Sequence, residues 1–139
     1  MPARSKARKR ALDLLFEAEL RGEPVLGLLE DRIAQDASGG SPVPEYAAVL
    51  VRGVTEHRER IDELLAAHAR GWTLGRMPAV DRNILRIGAY ELLWAEDVPD
   101  GVVISEAVQM ARTLSTDASP AFVNGLLARL LELKPTLSL

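Results

Sequence analysis

Five cations crowd the first ten residues: Arg4, Lys6, Arg8, Lys9 and Arg10, with no acid before Asp13. Such a run suits a segment that binds RNA or another polyanion. Each Lys or Arg that neutralises a phosphate releases a counterion, so binding weakens steeply with salt. On a helical wheel the five do not share a face. Lys6 and Arg10 lie together, opposite the apolar stripe that begins at Ala7, whereas Arg4 and Arg8 lie elsewhere. A helix that reads a duplex groove needs one face; a helix end that projects or frays can use all its sides against a flexible phosphate backbone. Cations at a helix start also oppose the macrodipole, by about 0.3–1 kcal/mol each, and a bound polyanion would offset that. The plainer alternative is a solvated tail steadied by Lys9–Asp13 pairing one turn apart.

A second set of residues sits near the C-terminus. Asn124 and Gly125 are adjacent, and both are poor helix formers. Gly125 reads as a point of close helix contact, and Asn124 as either a cap on a neighbouring backbone group or a residue facing a ligand. Phe122 falls off the stripe of Val123, Leu126, Leu127 and Leu130. An aromatic so placed either stacks on an unpaired base or packs against the loop before it. Asp81 opens another helical segment, where a carboxylate is locally favourable and where a basic partner could dock.

Catalytic constellations do not assemble from the sequence. His57 and His68 are eleven residues apart, about 16 Å along a helix, too far to share a metal. Ser105-Glu106 and Ser115-Thr116-Asp117 lie far along the chain from either His. There is no G-x-S-x-G elbow, no Walker A and no G-x-G-x-x-G loop after a strand. The expectation is a protein with no catalytic residues, no metal and no cofactor.

These residues need a scaffold, and the composition indicates its kind. The 139 residues are 47% hydrophobic but only 4% aromatic, so the core must be Leu, Val, Ile and Ala, a mixture that favours helix. Cys is absent, which excludes a disulfide framework and cysteine zinc sites. No apolar run approaches the roughly 20 residues of a membrane span, and the charged start lacks a following apolar stretch, so a cytoplasmic location is expected. The net charge of −3 conceals a division. Residues 1–10 carry +5, and the remainder carries 12 bases against 20 acids, or −8. A basic tip on an acidic body can meet a polyanion while the body attracts a basic protein.

Turn signals cut the chain into six or seven helical segments. The first runs from about Arg4 to Arg21 and buries Ala7, Ala11, Leu14, Leu15 and Ala18; Leu12, Phe16 and Leu20 give it a second apolar side. Gly22 and Pro24 stop it. A short helix spans about Val25 to Gln35, followed by a flexible loop over 37–44. A long stretch after Pro44 reaches about His68, with a break expected near Glu56–Arg60. Residues 71–78 form a connector. Helices then cover Val80–Ala95, the segment carrying Ile104 to Leu114, and a last one in which Ser119 is the expected N-cap and Pro120 the first helical residue. With no strand-like alternation, the architecture is all-α, a bundle or a pair of small bundles.

Residues 4–16, Ala79 through Leu92, Pro99 through Val108 and, most specifically, Phe122-Val-Asn-Gly-Leu-Leu127 together resemble the NusB family of bacterial transcription antitermination factors, in order and over nearly the whole chain. The resemblance implies about seven helices in two roughly perpendicular three-helix bundles. By position these would be about 11–70 and 76–135, after a basic arm at 1–10. It implies no catalysis. It implies a joint RNA site with NusE, a small-subunit ribosomal protein, on boxA, a single-stranded element of nascent ribosomal RNA transcripts, within an RNA polymerase complex containing other Nus factors. Carried over by position, Arg4, Lys6, Arg8, Arg10, Phe122 and Asn124 would contact RNA, and Asp81 would lie on the face that meets NusE. Ser105 stands where the family commonly has Asn, and Ala118 where some members carry an acid. Two other readings stay open on these residues: an RNA-binding domain like that of ribosomal RNA cytosine methyltransferases, and a structural helical adaptor without RNA. A homodimer through the second apolar side of the first helix is a further assembly the sequence allows.

Overall fold

The computed structural model describes residues 2–36 and 39–139; part of the Gly/Ser/Pro loop read at 37–44 therefore lies outside the described residues. Among the described residues there are seven α-helices, two single 3-10 turns and no strand. The chain divides into two compact units, Met1–Glu56 and His57–Leu139.

The first unit holds α1 (Ala3–Arg21), α2 (Val25–Asp36) and α3 (Glu45–Glu56), each packed against the other two. The expected stripe of α1 is buried, from Ala7 through Ala18, and meets Leu28 and Leu29 of α2 and Ala47, Leu50, Val51 and Val54 of α3 in the unit's core. Of the second apolar side, Leu12 is buried, Phe16 half-buried and Leu20 exposed. Gly22 ends α1 in the left-handed region at φ 64°, and the Glu23 N–H reaches back to the Ala18 carbonyl at 3.0 Å. This is the six-to-one bond that a glycine cap permits without a Cβ clash.

The second unit holds α4 (Arg58–His68), α5 (Ala79–Trp94), α6 (Asp100–Leu114) and α7 (Ser119–Leu133), with 3-10 turns at Leu74–Arg76 and Lys134–Thr136. The break expected near Glu56–Arg60 falls at His57. The His57 imidazole stacks on Trp94 of α5, with ring centroids 4.2 Å apart and planes 15° from parallel. A boundary near residue 70 would put α4 with the first bundle; the structure groups it with the second, where it packs on α5 and α7.

Helix α5 is the centre of this unit and contacts α4, α6 and α7. Burial on several sides explains why its polar residues are also inside: Asp81, Asn83, Arg86 and Glu91 are all buried. An amphipathic reading, which assigns polar residues to the solvent side, does not anticipate this. Arg86 donates to both carboxylate oxygens of Asp62, at 2.8 and 3.1 Å, and to Asn83 Oδ1 at 3.0 Å. Buried groups of this kind are tolerated because they are hydrogen-bonded. Gly88 is the close-contact glycine: a Cβ there would lie 2.8 Å from Leu127 Cδ1 of α7.

Candidate nucleic-acid interface

The basic segment is built into α1 from its first turn, and its five cations have different fates. Pro2 holds the N-cap position, no side chain caps the helix and the first turn contains no acid, so the positive end of the helix is left to solvent and to the cations beside it. Arg4 is exposed and stacks its guanidinium over the Tyr46 ring, 4.3 Å from the centroid. Arg8 lies over the same ring at 5.8 Å and is only 2% exposed. That burial corrects the expectation for Arg8: it secures α1 on α3 and has no face left for a ligand. Lys9 pairs with Asp13 at 3.3 Å as expected, and Arg10 lies 3.9 Å from Asp36. Lys6 is exposed, and among the described residues no acid pairs with it. Lys6, Lys9 and Arg10 border one shallow hollow with Asp13, Pro42 and Pro44. Lys6, Lys9 and Arg10 thus share one cationic face, and Arg4 lies apart from it over Tyr46.

The second unit presents a different surface. Helix α7 begins where α6 ends, and the turn between them is fixed from below by Asp81. One Asp81 carboxylate oxygen accepts from Ser115 Oγ and the other accepts from Ser119 Oγ at 2.8 Å. The Thr116 N–H donates to Ser119 Oγ at 3.2 Å. Ser119 is thus not the N-cap. Ala118 holds that position, Ser119 is the first helical residue, and its hydroxyl is drawn inward by the buried carboxylate. Asp81 itself is 1% exposed. The expectation that it meets a partner at the surface is corrected accordingly, since both its oxygens are used to hold the α6–α7 turn.

That turn sets the position of Phe122, one turn into α7. Phe122 is half-buried and packs on Trp72 of the connector after α4, with ring centroids 5.5 Å apart at 36°. Phe122 thus pairs with an aromatic some fifty residues earlier in the chain. Trp72 remains 40% exposed. Phe122 lines a groove with His68, Arg70, Gly125, Arg129 and Glu132. Asn124 is exposed and lines a separate hollow with Arg112, Thr116 and Asp117. The two residues, paired in the sequence motif, look out on different sides of α7.

Gly125 differs most from its sequence reading. A Cβ there would meet nothing within 4 Å, so no helix approaches it; Gly88 has the close contact that the sequence assigned to Gly125. Trp72, Arg70 and Arg129 went unnoticed in the sequence. The available signal was the rarity of Trp in the chain, two residues in 139, which makes an exposed one conspicuous.

The NusB family model matches residues 5–132 of this chain. The transcription antitermination protein NusB of Thermobifida fusca (strain YX) is 62% identical over 137 residues, 99% of this chain and 94% of that protein. The solved structure of T. maritima NusB superposes with a TM-score of 0.81 at 34% identity, covering 95% of this chain and 92% of that one. A chain of the crystal structure of antitermination factors NusB and NusE in complex with dsRNA superposes with a TM-score of 0.79 at 29% identity, covering 95% and 98%. The chain belongs to the NusB family. Among the described residues no helix is long and apolar enough to cross a membrane.

Proposed function

We propose that this chain is a non-catalytic RNA-binding adaptor of transcription antitermination, acting in the cytoplasm. It binds boxA-type RNA of nascent ribosomal transcripts jointly with the ribosomal protein NusE and other Nus factors. The observation that carries the reading is its full-length likeness to the chain solved with NusE and RNA. Two surfaces support it. The Lys6–Lys9–Arg10 face, with Arg4, supplies charge without sequence information. Helix α7, with Phe122 on one side and Asn124 on another, supplies groups that read unpaired bases by stacking and hydrogen bonding. Asp81 contributes indirectly by holding the turn from which that helix starts. Six aromatic residues in the whole chain are few for selective reading of RNA. A second protein that shares the RNA raises affinity through joint contact, and an acidic body suits a basic ribosomal protein.

The test is anisotropy titration at fixed salt of labelled boxA RNA and a scrambled control, each with and without NusE. The expected result is weak binding alone, much tighter binding with NusE, and preference for boxA in the complex. Equal affinities with and without NusE would remove the joint-site reading; equal affinities for the two RNAs would reduce the chain to a non-specific polyanion binder.

A further inference from the structure

We infer that Tyr46 is a positioning residue for RNA binding: its ring grips Arg4 and Arg8 and keeps the first turns of α1 helical, with Lys6 turned outward, before RNA arrives. This rests on the RNA-binding reading above and adds the residue that orders the basic segment for it.

The start of α1 has little to hold it in shape. No side chain caps it, its first turn contains no acid, and its cations oppose the macrodipole. The first turn of a helix is also the costliest to form, since several residues are fixed for one hydrogen bond. Here that bond runs from the Lys6 N–H to the Pro2 carbonyl at 3.1 Å. The buried apolar stripe begins only at Ala7, and Ala3, Arg4 and Lys6 before it are exposed. Yet the helix runs from Ala3. The Tyr46 ring extends the grip of α3 past the stripe: the Arg4 guanidinium lies 4.3 Å from the ring centroid and that of Arg8 5.8 Å. The two arginines are four residues apart, on one side of α1, so one ring engages two successive turns. Tyr46 is itself well placed to act as a fixed point. It stands in the first turn of α3, beside Ala47 and Ala48, which are buried and whose N–H groups both donate to the Pro44 carbonyl, at 3.0 and 3.3 Å.

The grip has a direction. Lys6 is two residues from each arginine, about 200° around the helix, so holding Arg4 and Arg8 against Tyr46 turns Lys6 to the far side. Arg10 follows one turn later on that far side, and the two border one hollow with Lys9. Cations can reach a flexible phosphate backbone from loose positions, but a frayed segment must then be ordered by the RNA. That ordering lowers affinity without deleting any contact. Tyr46 therefore sets how tightly the segment binds, and the cations set how steeply the binding responds to salt.

The experiment titrates labelled single-stranded boxA RNA at several salt concentrations, with saturating NusE, against the unmodified chain, Tyr46→Leu and Tyr46→Phe. Tyr46→Leu keeps apolar bulk and removes the ring; Tyr46→Phe keeps the ring. The expected result is about a fivefold loss of affinity for Tyr46→Leu with the log–log salt slope unchanged, and near-normal affinity for Tyr46→Phe. Amide hydrogen exchange at residues 6–8 should be faster in Tyr46→Leu and should slow when RNA is added, while circular dichroism shows the fold intact. Pro2→Ser supplies a capping hydroxyl without adding charge and should restore much of the affinity in the Tyr46→Leu background. Arg4→Ala leaves the core untouched and should give the same faster exchange, which keeps the test open if Tyr46→Leu does not fold. Unchanged affinity in Tyr46→Leu, or unchanged exchange in Arg4→Ala, would overturn the inference and leave the broader reading standing. So would a shallower salt slope in Tyr46→Leu, which would mark a lost phosphate contact, and so would tighter binding, which would make the stack a latch that RNA has to open. No RNA binding by the unmodified chain would overturn both.

Discussion

The two units bury polarity in opposite ways. In Met1–Glu56 the core is Leu, Val and Ala, and Arg8 is the one buried charged side chain among the described residues. In His57–Leu139 five polar side chains are buried: Asp81, Asn83, Arg86 and Glu91 of α5, and Ser119 of α7. Apolar burial holds elements together without prescribing direction, whereas a buried hydrogen-bonded group tolerates few geometries. The difference matches what each surface has to supply. Charges on α1 can act on a phosphate backbone from loosely defined positions. Phe122 sits one turn into α7, and Asp81 fixes the turn from which that helix starts.

The largest effect expected from this contrast is in the second unit. Arg86→Ala removes the buried guanidinium that holds Asn83 and, beside Arg58, Asp62, and losing such a buried partner should lower stability by about 3 kcal/mol. Trp72 and Trp94, the only tryptophans, both lie in this unit, so fluorescence-detected urea unfolding reads it selectively. The same pair sets a pH dependence. Burial pushes the Asp62 carboxyl up, but hydrogen bonds from Arg86 and Arg58, and their charges, outweigh it and hold it below the ordinary carboxylate range. A carboxyl lowered by folding adds stability above its unfolded pKa, near 4, and loses that contribution as the pH falls through its folded value. The tryptophan-detected midpoint should therefore fall as the pH drops below about 4, and Arg86→Ala should flatten that fall. A variant as stable as the unmodified chain would erase the contrast between the units.

Next in size is Asp81→Ala, which leaves the Ser115 and Ser119 hydroxyls without their charged acceptor. Loss of hydrogen bonds to a charged group should lower stability by about 2 kcal/mol. It should also weaken RNA binding, although Asp81 is buried, with Asp81→Asn milder on both counts. Weakened binding of NusE with stability intact would instead return Asp81 to the partner surface.

A comparable loss of about 2 kcal/mol is expected for Arg8→Ala in the first unit, from lost packing of the side-chain stem and lost contact with the Tyr46 ring. Circular dichroism should register it more strongly than tryptophan fluorescence does, and the salt dependence of RNA binding should not move. Lys6→Ala should behave in the reverse manner, with stability within about 0.5 kcal/mol and a shallower salt dependence. If Arg8→Ala changes the salt slope as Lys6→Ala does, Arg8 reaches RNA after all.

Much of the fold was legible because its signals are local. The Gly22 stop, the Ala7-to-Ala18 stripe and the break near His57 can each be read from neighbours within a turn or two. Parts of the site were not, because they depend on what comes close from far along the chain. Nothing near Arg8 in sequence announces that Tyr46 will cover it. Asp81 looks like a favourable surface charge until Ser115 and Ser119 arrive from α6 and α7. Phe122 could be seen to leave its stripe, but its companion Trp72 lies in a connector with no periodicity to place it. The close contact read at Gly125 falls at Gly88 for the same reason: the tightness of a helix contact is a property of the facing helix, which the sequence of α7 does not contain.

The smallest effects come from those glycines and have opposite signs. Gly88→Ala places a Cβ 2.8 Å from Leu127 Cδ1, and because Leu127 is fully buried its side chain has little room to yield. Overpacking of this kind should cost about 1 kcal/mol. Gly125→Ala meets nothing, so helix propensity alone acts and stability should rise by up to about 1 kcal/mol. Both are read by the same fluorescence-detected unfolding, since both lie in the unit that holds the tryptophans. A gain at Gly125 shows that stability did not select the glycine there. A loss at Gly125 would mean that something packs on α7 in the folded chain, and the contrast between a closed contact at Gly88 and an open floor at Gly125 would collapse.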